Sequence, residues 1–145
     1  MIQLVTGDIL TDSSECLVNP VNCLGVSGAG LALQFKQKYP AAYREYRAYA
    51  HSGKLEPGHV FWYKAGEQRI AHLATKDHFK YKSKPIWIKN GLKRLYEQCE
   101  AMNIQSIALP LVGTGLGGLN KEFVIDMIVE IFMCNPKRRV NIYVN

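Results

Sequence analysis

Residues 18–35, V-N-P-V-N-C-L-G-V-S-G-A-G-L-A-L-Q-F, constrain the fold more than any other stretch of the chain. They open as the apolar end of a strand, pass two asparagines, cross a glycine-rich turn and leave as an apolar-periodic segment with helical spacing. A strand, a glycine turn and a helix in that order leave free backbone N–H groups at a helix N-terminus, where the aligned peptide dipoles favour an anion. Gly25, Gly28 and Gly30 allow positive φ or a close approach of ligand to backbone. Asn19 and Asn22 place two amides on the same rim. An ordinary strand-to-helix turn also uses glycine for close packing, and one glycine run does not separate the two uses.

The remaining elements follow from periodicity and breakers. Residues 2–5 read as a strand ended by Gly7 and Asp8, and residues 16–18 as a second strand buried on both faces. Leu31, Phe35 and Tyr39 mark a helix over 29–39. Pro40 breaks it or starts the next, whose face is Tyr43, Tyr46 and Ala50. Residues 59–63 and 69–74 are β-like runs joined by Ala65-Gly66-Glu67, a hairpin-like pair. Ile88, Leu92, Leu95, Cys99 and Met102 share one face of a helix that begins at Pro85. Residues 106–109 form a strand that runs into a second glycine-rich turn, 110–118. Asn120 suits the cap of a last helix with Phe123, Val124, Met127, Ile128 and Ile131 inward, and 139–144 is the final strand. Strands alternating with helices, plus one hairpin, predict a three-layer α/β fold with a mixed central sheet. The basic P-K-R-R near the end reads as a solvated turn.

With 145 residues, 48% of them apolar and 21% charged, the chain has globular composition, and one domain over 1–145 is expected. No apolar run approaches the ~18 residues that cross a bilayer, and the first residues read as a strand rather than a signal peptide. No membrane association is expected. Cys16, Cys23, Cys99 and Cys134 are scattered without a C-x-x-C pair, which argues against zinc or a disulfide framework and for a reduced, cytoplasmic setting. The histidines lack metal-ligand spacing, so no metal or cofactor is expected. A formal charge of +6 favours an anionic partner.

Ligands of open α/β sheets bind beyond the carboxyl ends of the strands. Asp8, the first glycine turn and the second all fall there. Two facing glycine turns could hold a diphosphate through backbone N–H groups. Neither turn has the G-x-x-x-x-G-K-[ST] or full G-x-G-x-x-G pattern, which disfavours ATPases and dinucleotide dehydrogenases. Residues 75–85, T-K-D-H-F-K-Y-K-S-K-P, interleave lysines with rings. Such a loop suits single-stranded nucleic acid, with Lys80, Tyr81, Lys82 and Lys84 as contacts, although a solvated charged loop with half-buried rings is the commoner use of such a pattern.

V-T-G-D-I at 5–9, V-N-P-V-N at 18–22, G-A-G-L-A at 28–32 and P-L-V-G-T-G-L-G-G at 110–118 together resemble the macrodomains, the ADP-ribose-binding α/β family, over essentially the whole chain. The resemblance implies ADP-ribose contacts at Asp8 and the Ile9 backbone for adenine, with Tyr143 on the last strand nearby. It implies that Gly28, Ala29, Gly30 and Leu31 hold one side of the diphosphate and distal ribose; Asn19 and Asn22 are further expected ligand contacts, Asn22 either orienting the distal ribose or a water or only capping the turn. Leu111, Val112, Gly113, Thr114, Gly115, Leu116 and Gly117 would hold the other side. Residues 28–36 together with A-T-K at 74–76 resemble the branch of the terminal ADP-ribose protein glycohydrolase and the DarG-type antitoxins, which remove ADP-ribose from DNA bases. That branch implies a catalytic Lys76. The protein-directed member pairs this lysine with an aspartate where Gly117 stands here, which points to the DNA-directed enzymes. The implied function is a lysine-dependent ADP-ribosyl glycohydrolase on DNA, of antitoxin type, expected as a monomer with single-stranded DNA as substrate and a cognate ADP-ribosyltransferase toxin as partner. Alternatives are an ADP-ribose reader without catalysis, a deacylase of ADP-ribosyl-glutamate, and an ADP-ribose 1″-phosphate phosphatase.

Overall fold

A computed structural model describes residues 1–145. The strands are β1 (Ile2–Val5), β2 (Cys16–Asn22), β3 (Val60–Ala65), β4 (Gln68–Lys76), β5 (Ser106–Pro110) and β6 (Arg139–Tyr143). The helices are α1 (Gly30–Lys38), α2 (Pro40–His51), α3 (Pro85–Ala101) and α4 (Lys121–Phe132), and a 3-10 turn spans Ile9–Thr11. The six strands form one sheet in the order β1-β6-β5-β2-β4-β3. Every pairing is parallel except β3 with β4. The sheet is therefore mixed, as the alternation of elements predicts.

Period-two alternation divides the buried strand residues between two faces. Cys16 and Val18 of β2, Ala71 and Leu73 of β4, and Ile107 and Leu109 of β5 meet Ile88, Leu92 and Leu95 of α3 and Val124, Ile128 and Phe132 of α4. Leu17, Ile70 and Ala108 face Phe35 of α1 and Ala42 of α2, while Val21 and Ala74 pack on Tyr46 and Ala50 of α2. The helix that follows β2 thus covers one face and the helix that follows β5 covers the other. Because β2 and β5 are neighbours whose chains leave in opposite directions, a crevice opens at their carboxyl ends.

Three local expectations differ. Phe123 is 45% exposed, and Phe132 takes the place in the core instead. Glu122, Asp126 and Glu130 form the outward stripe of α4 and Phe123 borders it, while Val124, Ile128 and Phe132 lie on the opposite face. Arg138, expected in a solvated turn, is 2% exposed. Its Nε donates to the Ile104 carbonyl at 2.8 Å and its Nη2 to Glu100 Oε1 at 2.7 Å. Strand β2 continues through both asparagines to Asn22, because β4 pairs alongside it as far as Lys76.

Candidate functional site

The crevice is a cleft of about 1280 Å³ at the carboxyl ends of the parallel strands. It begins at β1 and β6, where Asp8, Ile9 and Tyr143 line it, crosses the two glycine turns after β2 and β5, and ends at Lys76 of β4. From β6 to β4 is three strand spacings, roughly 14 Å.

Asp8 caps the 3-10 turn, its Oδ1 accepting from the Leu10 N–H at 3.0 Å, while its second oxygen has no protein partner. Tyr143 is positioned by a residue that local spacing did not single out. Its hydroxyl donates to Asp12 Oδ2 at 2.7 Å, and Asn141 Nδ2 donates to the same oxygen at 3.1 Å. Burial works against the Asp12 carboxylate, but hydrogen bonds from Ser14, Tyr143 and Asn141 outweigh it and hold the group below its usual range. Burial, and then the hydrogen bond to Asp12 and the charge of that carboxylate, push the Tyr143 phenol up to about 12.

Helix α1 starts at Gly30 without a side-chain cap. The N–H groups of Gly30, Leu31 and Ala32 have no acceptor within the protein, as the first turn of a helix requires. Asn22 serves this turn from within. Its Nδ2 donates to the Val26 carbonyl at 2.8 Å, and its Oδ1 accepts from the N–H groups of Leu24 and Val26 and from the Tyr46 hydroxyl. Asn19 does not share the rim. It is 3% exposed and borders a small internal space with His72, Tyr46 and Phe35, beneath α1 and α2. The register of β2 against β4 shifts where β4 carries the extra residue Thr75, so that Lys76 and not Thr75 stands beside Asn22 at the cleft.

In the second turn, the N–H groups of Val112, Thr114, Gly118 and Leu119 close the loop on Pro110, Leu111, Gly115 and Gly113. Those of Gly113, Gly115, Leu116 and Gly117 have no acceptor. Val112 departs from expectation: its side chain is fully buried in the core and its N–H is already used. The Thr114 hydroxyl donates to the Leu111 carbonyl at 2.6 Å, so it closes the turn. Gly117 is dictated by space. A Cβ there would lie 2.5 Å from the Gly113 carbonyl oxygen and 2.7 Å from Ser83 Oγ.

Lys76 is half-buried at the cleft's far end, its Nζ 3.4 Å from the Phe79 carbonyl. Burial lowers its pKa. Lys84 lies over the Trp87 ring at 5.0 Å, and the Lys82 stem runs along Gly118. Lys80, Tyr81, Lys82 and Lys84 stand outside the cleft lining, on the loop beside it. Phe79 and Ser83 do line the cleft, although in sequence both read as members of a charged loop. Phe79 is 44% and Tyr81 65% exposed, and both rings lie against His78, at 4.5 and 5.2 Å between centroids.

These features belong to a known family. The Macro domain family model matches residues 18–128, and the chain is a member of that family. A curated relative from Mycobacterium tuberculosis, named DNA ADP-ribosyl glycohydrolase, is 37% identical over 147 residues, covering 99% of this chain and 42% of its own length. The solved macrodomain of M. tuberculosis DarG superposes with a TM-score of 0.97 at 37% identity, covering 100% of this chain and 98% of that one. A structure described as Thermosipho africanus DarTG in complex with ADP-ribose superposes at 0.92 with 28% identity, covering 99% of this chain and 41% of that one. The chain thus spans less than half the length of the curated relative it matches.

Proposed function

We propose that this chain is an ADP-ribosyl glycohydrolase that holds ADP-ribose in the cleft and releases it from ADP-ribosylated DNA bases, with Lys76 as the reacting group. The observation that carries the proposal is the placement of Lys76. Its amine, eased toward the neutral form by burial, stands at the end of a cleft whose middle is lined by two sets of unpaired N–H groups. Adenine lies at Asp8, whose free oxygen accepts from the exocyclic amine, with the Ile9 N–H and the Tyr143 ring beside it. The diphosphate lies between the turns, where main-chain dipoles bind it without metal or lysine. The distal ribose then reaches Lys76.

Only the neutral amine is a nucleophile, so a lowered pKa raises the reactive fraction at neutral pH. Its lone pair adds to C1″ as the C1″–O4″ bond opens, and of the two protons the amine gives up in becoming an imine, one goes to O4″ and the other leaves with the base. Water hydrolyses the resulting imine, returning free lysine and ADP-ribose. The names of the 37%-identical relatives support DNA as the carrier. The exposed Phe79 and Tyr81 rings among lysines support a single-stranded form. An ADP-ribosyltransferase must install the group, which fits the toxin partner of an antitoxin.

The test is a substrate panel of ADP-ribosylated single-stranded oligonucleotide, glutamate-modified protein and ADP-ribose 1″-phosphate, run beside Lys76→Ala. Wild type releases ADP-ribose from the oligonucleotide. The variant loses that release but keeps ADP-ribose affinity within several-fold. Release that survives in Lys76→Ala would overturn the role, and preference for either other substrate would overturn the DNA assignment.

A further inference from the structure

The cleft contains one buried hydroxyl with nothing to bond to. Ser83 is 6% exposed and lines the cleft together with Lys76, Phe79 and Gly117. Its Oγ has no hydrogen-bond partner in the protein. Its backbone is tied to the second turn: the Ser83 N–H donates to the Gly117 carbonyl at 3.1 Å. The side chain occupies the space that a Cβ on residue 117 would need. The residue is thus held firmly while its hydroxyl is left unpaired. Buried polar atoms are nearly always satisfied, and an orphan costs the desolvation of the group. A hydroxyl carries one donor and two acceptor sites and turns among three staggered positions, so it can face a ligand that enters beside it.

We propose that Ser83 is a ligand-contacting residue whose hydroxyl bonds a hydroxyl of the distal ribose and distinguishes ADP-ribose from ADP. This rests on the placement of ADP-ribose proposed above, but not on the reaction. The assignment to the ribose follows from position. Adenine is held at the β1–β6 end of the cleft, and the diphosphate lies over the two turns that follow β5 and β2. Ser83 sits on the loop that connects Lys76 to α3 and docks on Gly117, which places it between the second turn and Lys76. A site built around a substrate hydroxyl penalises an analogue that lacks it, because its own polar group is then left unpaired.

Ser83→Ala separates this role from a structural one, because the two make opposite predictions. Removing an orphaned hydroxyl leaves the ligand-free melting temperature unchanged or raises it by about 2 °C. By calorimetry, affinity for ADP-ribose falls about five- to tenfold, while affinity for ADP, which has no distal ribose, holds within twofold. A lowered melting temperature with equal loss for both ligands would make Ser83 a packing residue and overturn the proposal, as would an unchanged ratio of the two affinities. Wild type that binds neither ligand would overturn the ADP-ribose placement itself.

Discussion

Gly117 and Asp12 show how single positions set this site. At Gly117 the nearest atom to an added Cβ is a backbone oxygen, Gly113 O at 2.5 Å, so the second turn itself must move. Gly117→Ala is expected to weaken ADP-ribose binding at least tenfold by displacing the Gly113 to Gly117 N–H groups, with titration calorimetry as the readout. Asp12 works at one remove, through Tyr143. Its carboxylate accepts from the tyrosine hydroxyl and from Asn141, both on β6. Asp12→Asn keeps the shape but loses the charge that holds the phenol, and a charge-assisted bond is about twice as strong as a neutral one. The expected result is a several-fold loss of ADP-ribose affinity, together with a downward shift of the Tyr143 titration in the spectrophotometric curve. Asp12 was invisible in sequence because it acts on a residue 131 positions away. Asp8, which acts on its own turn, was legible.

The strands and helices were legible wherever a local rule chose one answer. Pro40 and Pro85 open α2 and α3, Asn120 accepts from the Phe123 N–H to cap α4, and Ala65-Gly66-Glu67 lies at the antiparallel β3–β4 turn. Illegible features depended on partners distant in sequence. Arg138 is drawn inside by Glu100 and the Ile104 carbonyl, and its guanidinium lies 5.5 Å from the Tyr96 ring. Arg138→Ala is expected to cost about 2–3 kcal/mol in chemical denaturation through an orphaned carbonyl and lost packing. Strand β4 also carries His72, 2% exposed, stacked on Tyr46 at 5.4 Å and bonded through Nδ1 to the Phe61 carbonyl. Burial lowers its pKa from 6.5 to about 4. The unfolded chain therefore takes up the proton first. The resulting stability is fully present above pH ~6.5 and is lost as pH falls toward 4, to a limit of about 3 kcal/mol. Denaturation at pH 7 and pH 4.5 should show this drop in wild type and a smaller one in His72→Phe, and equal drops would refute the assignment.

The molecule as a whole carries +6, while the N–H groups of the two glycine turns in the middle of the cleft are left without acceptors. These two facts assign different work to different parts. Under the proposed function, the cleft would bind its ligand through fixed dipoles at close range, which salt screens weakly, while the lysine-rich loop beside Lys76 would act on a polyanion through charge that salt competes with directly. The proposed substrate spans both. Affinity for free ADP-ribose should therefore change little between 50 and 200 mM salt. Affinity for an ADP-ribosylated single strand should fall along a log–log slope of about −0.7 for each phosphate engaged. Lys80→Ala and Lys82→Ala leave the cleft lining intact, so each should flatten the oligonucleotide slope by about that amount without altering ADP-ribose affinity. Lys84, occupied over Trp87, should matter less. Phe79→Ala and Tyr81→Ala should lower oligonucleotide affinity with the slope unchanged, since stacking on a base releases no counterions. If the slope for the modified strand matched that for free ADP-ribose, the loop would have no part in gripping the nucleic acid, and the DNA-directed reading would have to stand on Lys76 and the cleft alone.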